Sequence, residues 1–126
     1  MKINVCTLTE PVTCQENQAI IEVAKILKEK RIRHVVVLNK KYPVGMLASV
    51  DIVNRVVAEN KDPKKILAKD VMTTPLEVID EQEELQKAYI AMMKKNTFSC
   101  PIVNKKNEFI GMLPFVEVIK HLELKD

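Results

Sequence analysis

Val44-Gly45-Met46-Leu47-Ala48-Ser49-Val50-Asp51-Ile52-Val53 and Ile110-Gly111-Met112-Leu113-Pro114-Phe115-Val116-Glu117-Val118-Ile119 are one phrase written twice, and they hold the only two glycines of the 126 residues. Outward from the phrase the likeness continues. Pro11 matches Pro75 and Ala24 matches Ala88 at an offset of 64, Asn39-Lys40-Lys41 matches Asn104-Lys105-Lys106 at 65, and the glycines match at 66. Two single-residue insertions explain the drift, one near the end of each half's first helix and one in the next loop, where length changes are tolerated. Two copies of a period this long read as paired half-domains rather than a solenoid. A half of about 60 residues is marginal alone, so the halves are expected to share a core.

Each half carries the same signals in the same order. A polar, β-favouring lead-in comes first, Val5 to Cys14 and Val71 to Ile79, with a short strand after the proline. An amphipathic helix follows, with Ala19, Ile20, Val23, Ala24, Ile26 and Leu27 as its apolar stripe in one half and Leu85, Ala88, Tyr89 and Met92 in the other. Asp80 with Glu83 reads as a capping box, and Asn17 as the cap of the earlier helix. Apolar runs then pair across links of hairpin length, Val35–Leu38 with Val44–Leu47 and Cys100–Val103 with Phe109–Leu113. Neither run alternates with polar residues, the pattern of strands covered on both faces. Closing helices are expected from about Val50 to Asn60 and from Phe115 to Leu122. The reading is α+β: residues 1–60 form the first β-α-β-β-α repeat, 61–70 a connector, and 71–126 the second repeat, packed as a pseudo-two-fold pair.

Twenty basic and seventeen acidic residues leave a net charge of +3, and Arg31, Arg33 and Arg55 all lie in the first half. An anion site is therefore better supplied there, because the arginine fork suits phosphate and carboxylate. The lysine pairs are interleaved with acids and only five aromatics are present, which argues against a nucleic-acid surface. Cys6, Cys14 and Cys100 are too few and scattered for a disulfide framework and fit a reducing, cytoplasmic setting. Neither a signal peptide nor an apolar run of roughly 20 residues is evident, so no membrane insertion is expected. Cysteines and histidines lack the usual metal-ligand spacing, and no metal is expected. Cys14 or Cys100 beside His34 has no evident orienting group, so no enzyme is expected.

This order and three markers resemble the tandem cystathionine β-synthase (CBS) domain pair, or Bateman module, here stand-alone. The markers are the lead-in Val71-Met72-Thr73-Thr74-Pro75, the strand Cys100-Pro101-Ile102-Val103-Asn104, and the glycine phrase ending in Asp51 or Glu117. The resemblance implies a non-catalytic regulatory module that requires no cofactor. It would bind an adenosine-containing metabolite (AMP, ADP, ATP or S-adenosylmethionine) in the cleft between repeats, and signal by conformational change to an effector protein. It further implies a homodimer of disc-like form. The alternative is a ligand-free dimerisation module, which would account for the apolar residues Val53, Val56, Val57, Ile119 and Leu122 on the closing helices.

For the site, the resemblance assigns Asp51 to a ribose diol, Arg33 and His34 to phosphates, and the base to apolar strand residues, for which Val36, Cys14 and Pro101 are candidates. The family's hydroxyl before the acid is replaced by Ala48 and Pro114, with Ser49 one residue later. The second half has Glu117 for the acid and Phe98 and Ser99 for Arg33 and His34, so the Asp51 site is the better supplied. A plain structural reading stands beside this one: Ser49 as an N-cap, Asp51 and Glu117 as first-turn acids, Pro114 at a helix start, and His121 as a cation near a helix C-terminus.

Overall fold

The computed structural model describes residues 1–123. The chain folds as two compact units, one made of residues 12–76 and the other of residues 1–11 with 77–126. These units divide the chain differently from the sequence repeats, because each repeat's lead-in joins the other repeat's unit.

Unit 12–76 contains β1 (Thr13–Gln15), α1 (Ile20–Lys30), β2 (His34–Asn39), β3 (Tyr42–Ala48), α2 (Ser49–Ile52) running on into a π-helical turn (Val53–Val57), and α3 (Ala68–Val71). The expected connector thus holds a helical turn. In the other unit a 3-10 turn (Ile3–Val5) precedes β4 (Ile79–Asp80), α4 (Leu85–Lys95), β5 (Ser99–Val103), β6 (Phe109–Pro114) and α5 (Phe115–Glu123). Each unit has a three-stranded sheet, ordered β1-β2-β3 or β4-β5-β6, with the first pair parallel and the hairpin antiparallel. The α+β reading and the duplicated element order are therefore observed.

The helices form where the stripes predict. Ile20, Val23 and Leu27 of α1 are buried, as are Leu85, Ala88 and Met92 of α4, both sets at i, i+3, i+7. Each helix ends on a left-handed residue, Arg31 (φ 55°) or Asn96 (φ 54°). Val35, Val36 and Val37 of β2 are buried in succession, as are Pro101, Ile102 and Val103 of β5, consistent with strands covered on both faces. Val56 is fully buried within the core of its unit, so it takes no part in an exposed apolar face.

The expected caps are not used. Asp80 accepts the Gln82 amide at 2.8 Å, Glu83 pairs with Lys87 at 3.1 Å, and the flanking residues at the two helix starts are Ala19 and Glu84. Backbone carbonyls satisfy the orphan donors instead. Ile66 and Pro63 accept from Ile20 and Ile21 at the start of α1, and Met1 accepts from Leu85 at the start of α4. Pro63 and Ile66 lie in the stretch expected to be the connector, and Met1 belongs to the other sequence repeat.

The glycines explain how the lead-ins are seated. Met46 and Thr73 exchange backbone hydrogen bonds of 2.8 and 3.2 Å, and Met112 and Thr9 do the same at 2.9 and 3.1 Å. A Cβ at Gly45 would stand 2.5 Å from Met72 Sδ, and one at Gly111 would stand 3.0 Å from Leu8 Cβ and 3.1 Å from the Thr9 carbonyl. Each glycine leaves room for its lead-in, Gly45 for the Met72 side chain and Gly111 for Leu8 and the Thr9 carbonyl. Ile3, with no exposed surface, anchors the first lead-in in the core of its unit.

Candidate functional site

The strand-to-helix junction of unit 12–76 gathers five of the expected residues. Register pairs His34 with Ala48, and the Ser49 amide donates to the Arg33 carbonyl at 2.8 Å. Arg33, His34 and Ser49 are exposed there, and Ala48 is half-buried. Asp51 lies in the first turn of α2, where its Oδ2 accepts the Ala48 amide at 2.8 Å. That bond is the helix-start role read from sequence, and it engages one of the two carboxylate oxygens. Ser49 is the first helical residue rather than the cap, with no side-chain capping bond from position 48.

Val36 and Cys14 are buried in β2 and β1 of the same sheet, where Thr13 is the register partner of Val36 and Cys14 that of Val37. Burial pushes the Cys14 thiol up to about 11. Pro101 is buried in β5 of the other unit beside Cys100, whose thiol is pushed up to about 12, first by burial and then by the Glu77 carboxylate. A thiol raised in this way has less thiolate at a given pH than an unshifted cysteine.

At the matching junction of the other unit the pairing repeats and the chemistry does not. Ser99 pairs with Pro114, and the Phe115 amide donates to the Phe98 carbonyl at 2.7 Å. Pro114 has no N–H, so Glu117 has no counterpart of the Ala48 bond. Its longer side chain instead accepts the Thr7 amide at 2.9 Å and meets His121 Nε2 at 2.8 Å, both through Oε2. The Thr7 bond first, and His121 next, hold the Glu117 carboxyl below its ordinary value against the opposing effect of burial. His121 is therefore half of an i,i+4 pair, beyond the dipole role read for it.

Arg55 is the basic residue that residue-type reasoning left unassigned within its half. Its Nη1 donates to the Val71 carbonyl at 2.7 Å and the Met72 carbonyl at 3.2 Å, tying the lead-in to the π-helical turn. The signal was the repeat itself: at an offset of 66, Arg55 corresponds to His121.

Among the described residues no helix is long and apolar enough to cross a membrane. The chain is 28% identical over 110 residues to an uncharacterized protein of Methanopyrus kandleri, covering 86% of this chain and 56% of that one. It is 28% identical over 104 residues to L-aspartate semialdehyde sulfurtransferase of Methanocaldococcus jannaschii, covering 82% of this chain and 19% of that one. The chain thus spans about half, or less, of the curated relatives it matches. A solved CBS domain pair of protein MJ0100, in complex with 5′-methylthioadenosine and S-adenosyl-L-methionine, is 26% identical with a TM-score of 0.69, over 98% of this chain and 99% of that one. Hypoxic response protein I, solved with two coordinated zinc ions, has a TM-score of 0.81 at 16% identity, over 96% and 98% of the chains, a likeness of fold alone. The CBS domain family itself matches twice, at residues 5–58 and 68–124, and the chain belongs to that family.

Proposed function

We propose that this CBS pair is a non-catalytic regulatory module, cytoplasmic, that binds an adenosine-containing metabolite such as AMP, ADP, ATP or S-adenosylmethionine. The observation that carries the reading is the junction of unit 12–76, where Arg33 and His34 flank Ala48, Ser49 and the first-turn acid Asp51. The exposed Arg33 guanidinium beside a helix start suits a phosphate or a carboxylate. The Asp51 oxygen that does not receive the Ala48 amide would accept from a ribose diol. Val36 and Cys14, assigned to the base from sequence, are buried in this unit and leave it almost no surface, so the reading rests on the polar residues of the junction. The complex that the MJ0100 pair forms with two adenosine compounds supports the choice of ligand class. The ligand would act on an effector protein to the extent that it binds one arrangement of the module more tightly than another.

The test is a thermal-shift panel of adenine nucleotides and S-adenosylmethionine, on the parent and on Asp51→Asn. A ligand at 100 times its dissociation constant adds about 2.7 kcal/mol, or roughly 8 to 16 °C for a domain of this size. Asp51→Asn should lose most of that shift. No shift with any member of the panel would refute ligand binding.

A second role, self-association as a homodimer, is favoured by one observation. Val50, Val53 and Val57, at i, i+3 and i+7 along the closing helical run, are 56%, 54% and 68% exposed. Such a row is an unburied apolar stripe. Sedimentation of the parent against Val53→Glu distinguishes a dimer through this face from a monomer.

A further inference from the structure

Cys6, Glu117 and His121 bring a sulfur, a carboxylate oxygen and an imidazole nitrogen to within 4.8 Å of one another, the one such mixed set among the described residues. Two rigid pieces of backbone present them. Glu117 and His121 are one helical turn apart on α5, and Cys6 follows the 3-10 turn of the lead-in, with its amide bonded to the Ile3 carbonyl at 2.9 Å. All three are half-buried; the Glu117 and His121 side chains are 15% and 22% exposed. Glu117 is oriented by the Thr7 amide, one residue beyond Cys6, as an outer hydrogen bond orients a metal-bound carboxylate.

The duplication supplies an internal comparison. At repeat offsets of 64 and 66, Cys6, Glu117 and His121 correspond to Asp70, Asp51 and Arg55. In that unit Arg55 ties the lead-in carbonyls of Val71 and Met72, while Asp70 and Asp51 accept the amides of Leu67 and Ala48. A fixed cation thus clamps the lead-in there. In the other unit the arginine is gone, and its place is taken by an imidazole beside a thiol and a carboxylate, the donors preferred by zinc-like ions.

We propose that Cys6, Glu117 and His121 bind a divalent transition-metal ion of the zinc type, which clamps the first lead-in to α5 as Arg55 clamps the second. Zinc bonds of about 2.0 to 2.3 Å in a tetrahedron set donors roughly 3.3 to 3.7 Å apart, so the side chains need only rotamer-scale adjustment, and water completes the fourth position. In the metal-free state burial and then the Glu117 carboxylate push the Cys6 thiol up. On binding, the sulfur–metal bond forms, the S–H bond breaks, and the proton leaves to solvent. A metal-held Glu117 is withdrawn from any ribose contact. The inference does not depend on the adenosine reading.

The experiment uses the full chain, stripped with a chelator and titrated with Co²⁺ in the absence of nucleotide. Stoichiometric binding with a near-ultraviolet thiolate-to-cobalt band, displaced by Zn²⁺, is the expected result. Cys6→Ser should abolish the band, and His121→Ala should weaken the metal by at least about tenfold, the loss that even outer-shell partners carry. Circular dichroism in chelator establishes that each variant is folded. Should Cys6→Ser fail to fold, protection of Cys6 from alkylation by Zn²⁺ in the parent, read by peptide mass spectrometry, decides instead. Absence of stoichiometric binding, cobalt bound without a sulfur band, or undiminished affinity in His121→Ala would each overturn the proposal.

Discussion

Substitution of Gly45 by alanine tests whether the glycine phrase exists to admit the lead-in. The new Cβ would stand 2.5 Å from Met72 Sδ, 2.8 Å from its Cγ and 3.1 Å from its Cβ, so the methionine must leave its place against the core. Overpacking of this kind costs about 1 to 3 kcal/mol, and relief of glycine's entropy in the unfolded chain returns roughly 0.5 to 1. The net expectation for Gly45→Ala is a loss of about 0.5 to 2 kcal/mol. Met72→Ala alone gives up a half-buried side chain, at about 1 to 2 kcal/mol, the lower part of the range for methionine truncation. Combining the two relieves the worst of the clash, because the Sδ and Cγ at 2.5 and 2.8 Å are gone and only the 3.1 Å contact with the Cβ remains. The double variant should therefore be more stable than the sum of the singles by about 1 kcal/mol, or roughly 3 to 6 °C in midpoint. Urea melts of the four proteins measure the coupling at constant m-value. Strict additivity would refute the close passage of Met72 over Gly45.

Thiol reactivity should separate the cysteines. With Cys14 at about 11 and Cys100 at about 12, their thiolate fractions at pH 8 are roughly 10⁻³ and 10⁻⁴, so Ellman titration of the metal-free native chain should show half-buried Cys6 reacting first and the other two only on unfolding. Fast labelling of Cys100 would contradict its placement in β5. Glu117 should contribute to the pH dependence of stability. Its carboxyl is held below the unfolded value, so the contribution is present above roughly pH 4.3 and is lost as the pH falls through the folded value. In chelator, the gap in melting temperature between the parent and Glu117→Gln should be widest near neutrality and close in acid. A gap that stays constant with pH would show that charge on Glu117 has no part in it.

Much of the fold was legible because it is carried by local patterns. The apolar stripes of α1 and α4, the unalternating runs of β2 and β5 and the hairpin lengths each follow from side-chain period and burial. What escaped is non-local. Nothing in the composition of Val5 to Cys14 says that Thr9 will bond to Met112, or that Met1 will offer its carbonyl to Leu85, since backbone groups carry no residue-specific mark. The capping box failed for the same reason. Asp80 and Glu83 are suitable residues, but main-chain carbonyls from another segment had already satisfied the helix start. At the junction with Asp51, the backbone neighbourhood of Arg33, His34, Ala48, Ser49 and Asp51 was legible because strand register and helix start are both local. The grouping of Cys6 with Glu117 and His121 was out of reach, being 111 residues apart at its nearest sequence spacing.

The two units depart from one another through a single backbone atom. Ala48 has an N–H and Pro114 does not, so Asp51 folds back onto its own helix start while Glu117 has nothing there to accept. A carboxylate freed in this way must find other donors, and a side chain one methylene longer reaches the lead-in at Thr7 and the next helical turn at His121. The basic residue at that turn then has a different task in each unit. Arg55 faces carbonyls and donates to them, whereas His121 faces a carboxylate and a thiol, where an imidazole serves as either ion-pair partner or ligand. The adenosine site proposed at the Asp51 junction and the cation site proposed at the Glu117 junction would thus be two outcomes of one duplicated frame. They are separable, because the groups that distinguish them lie in different units.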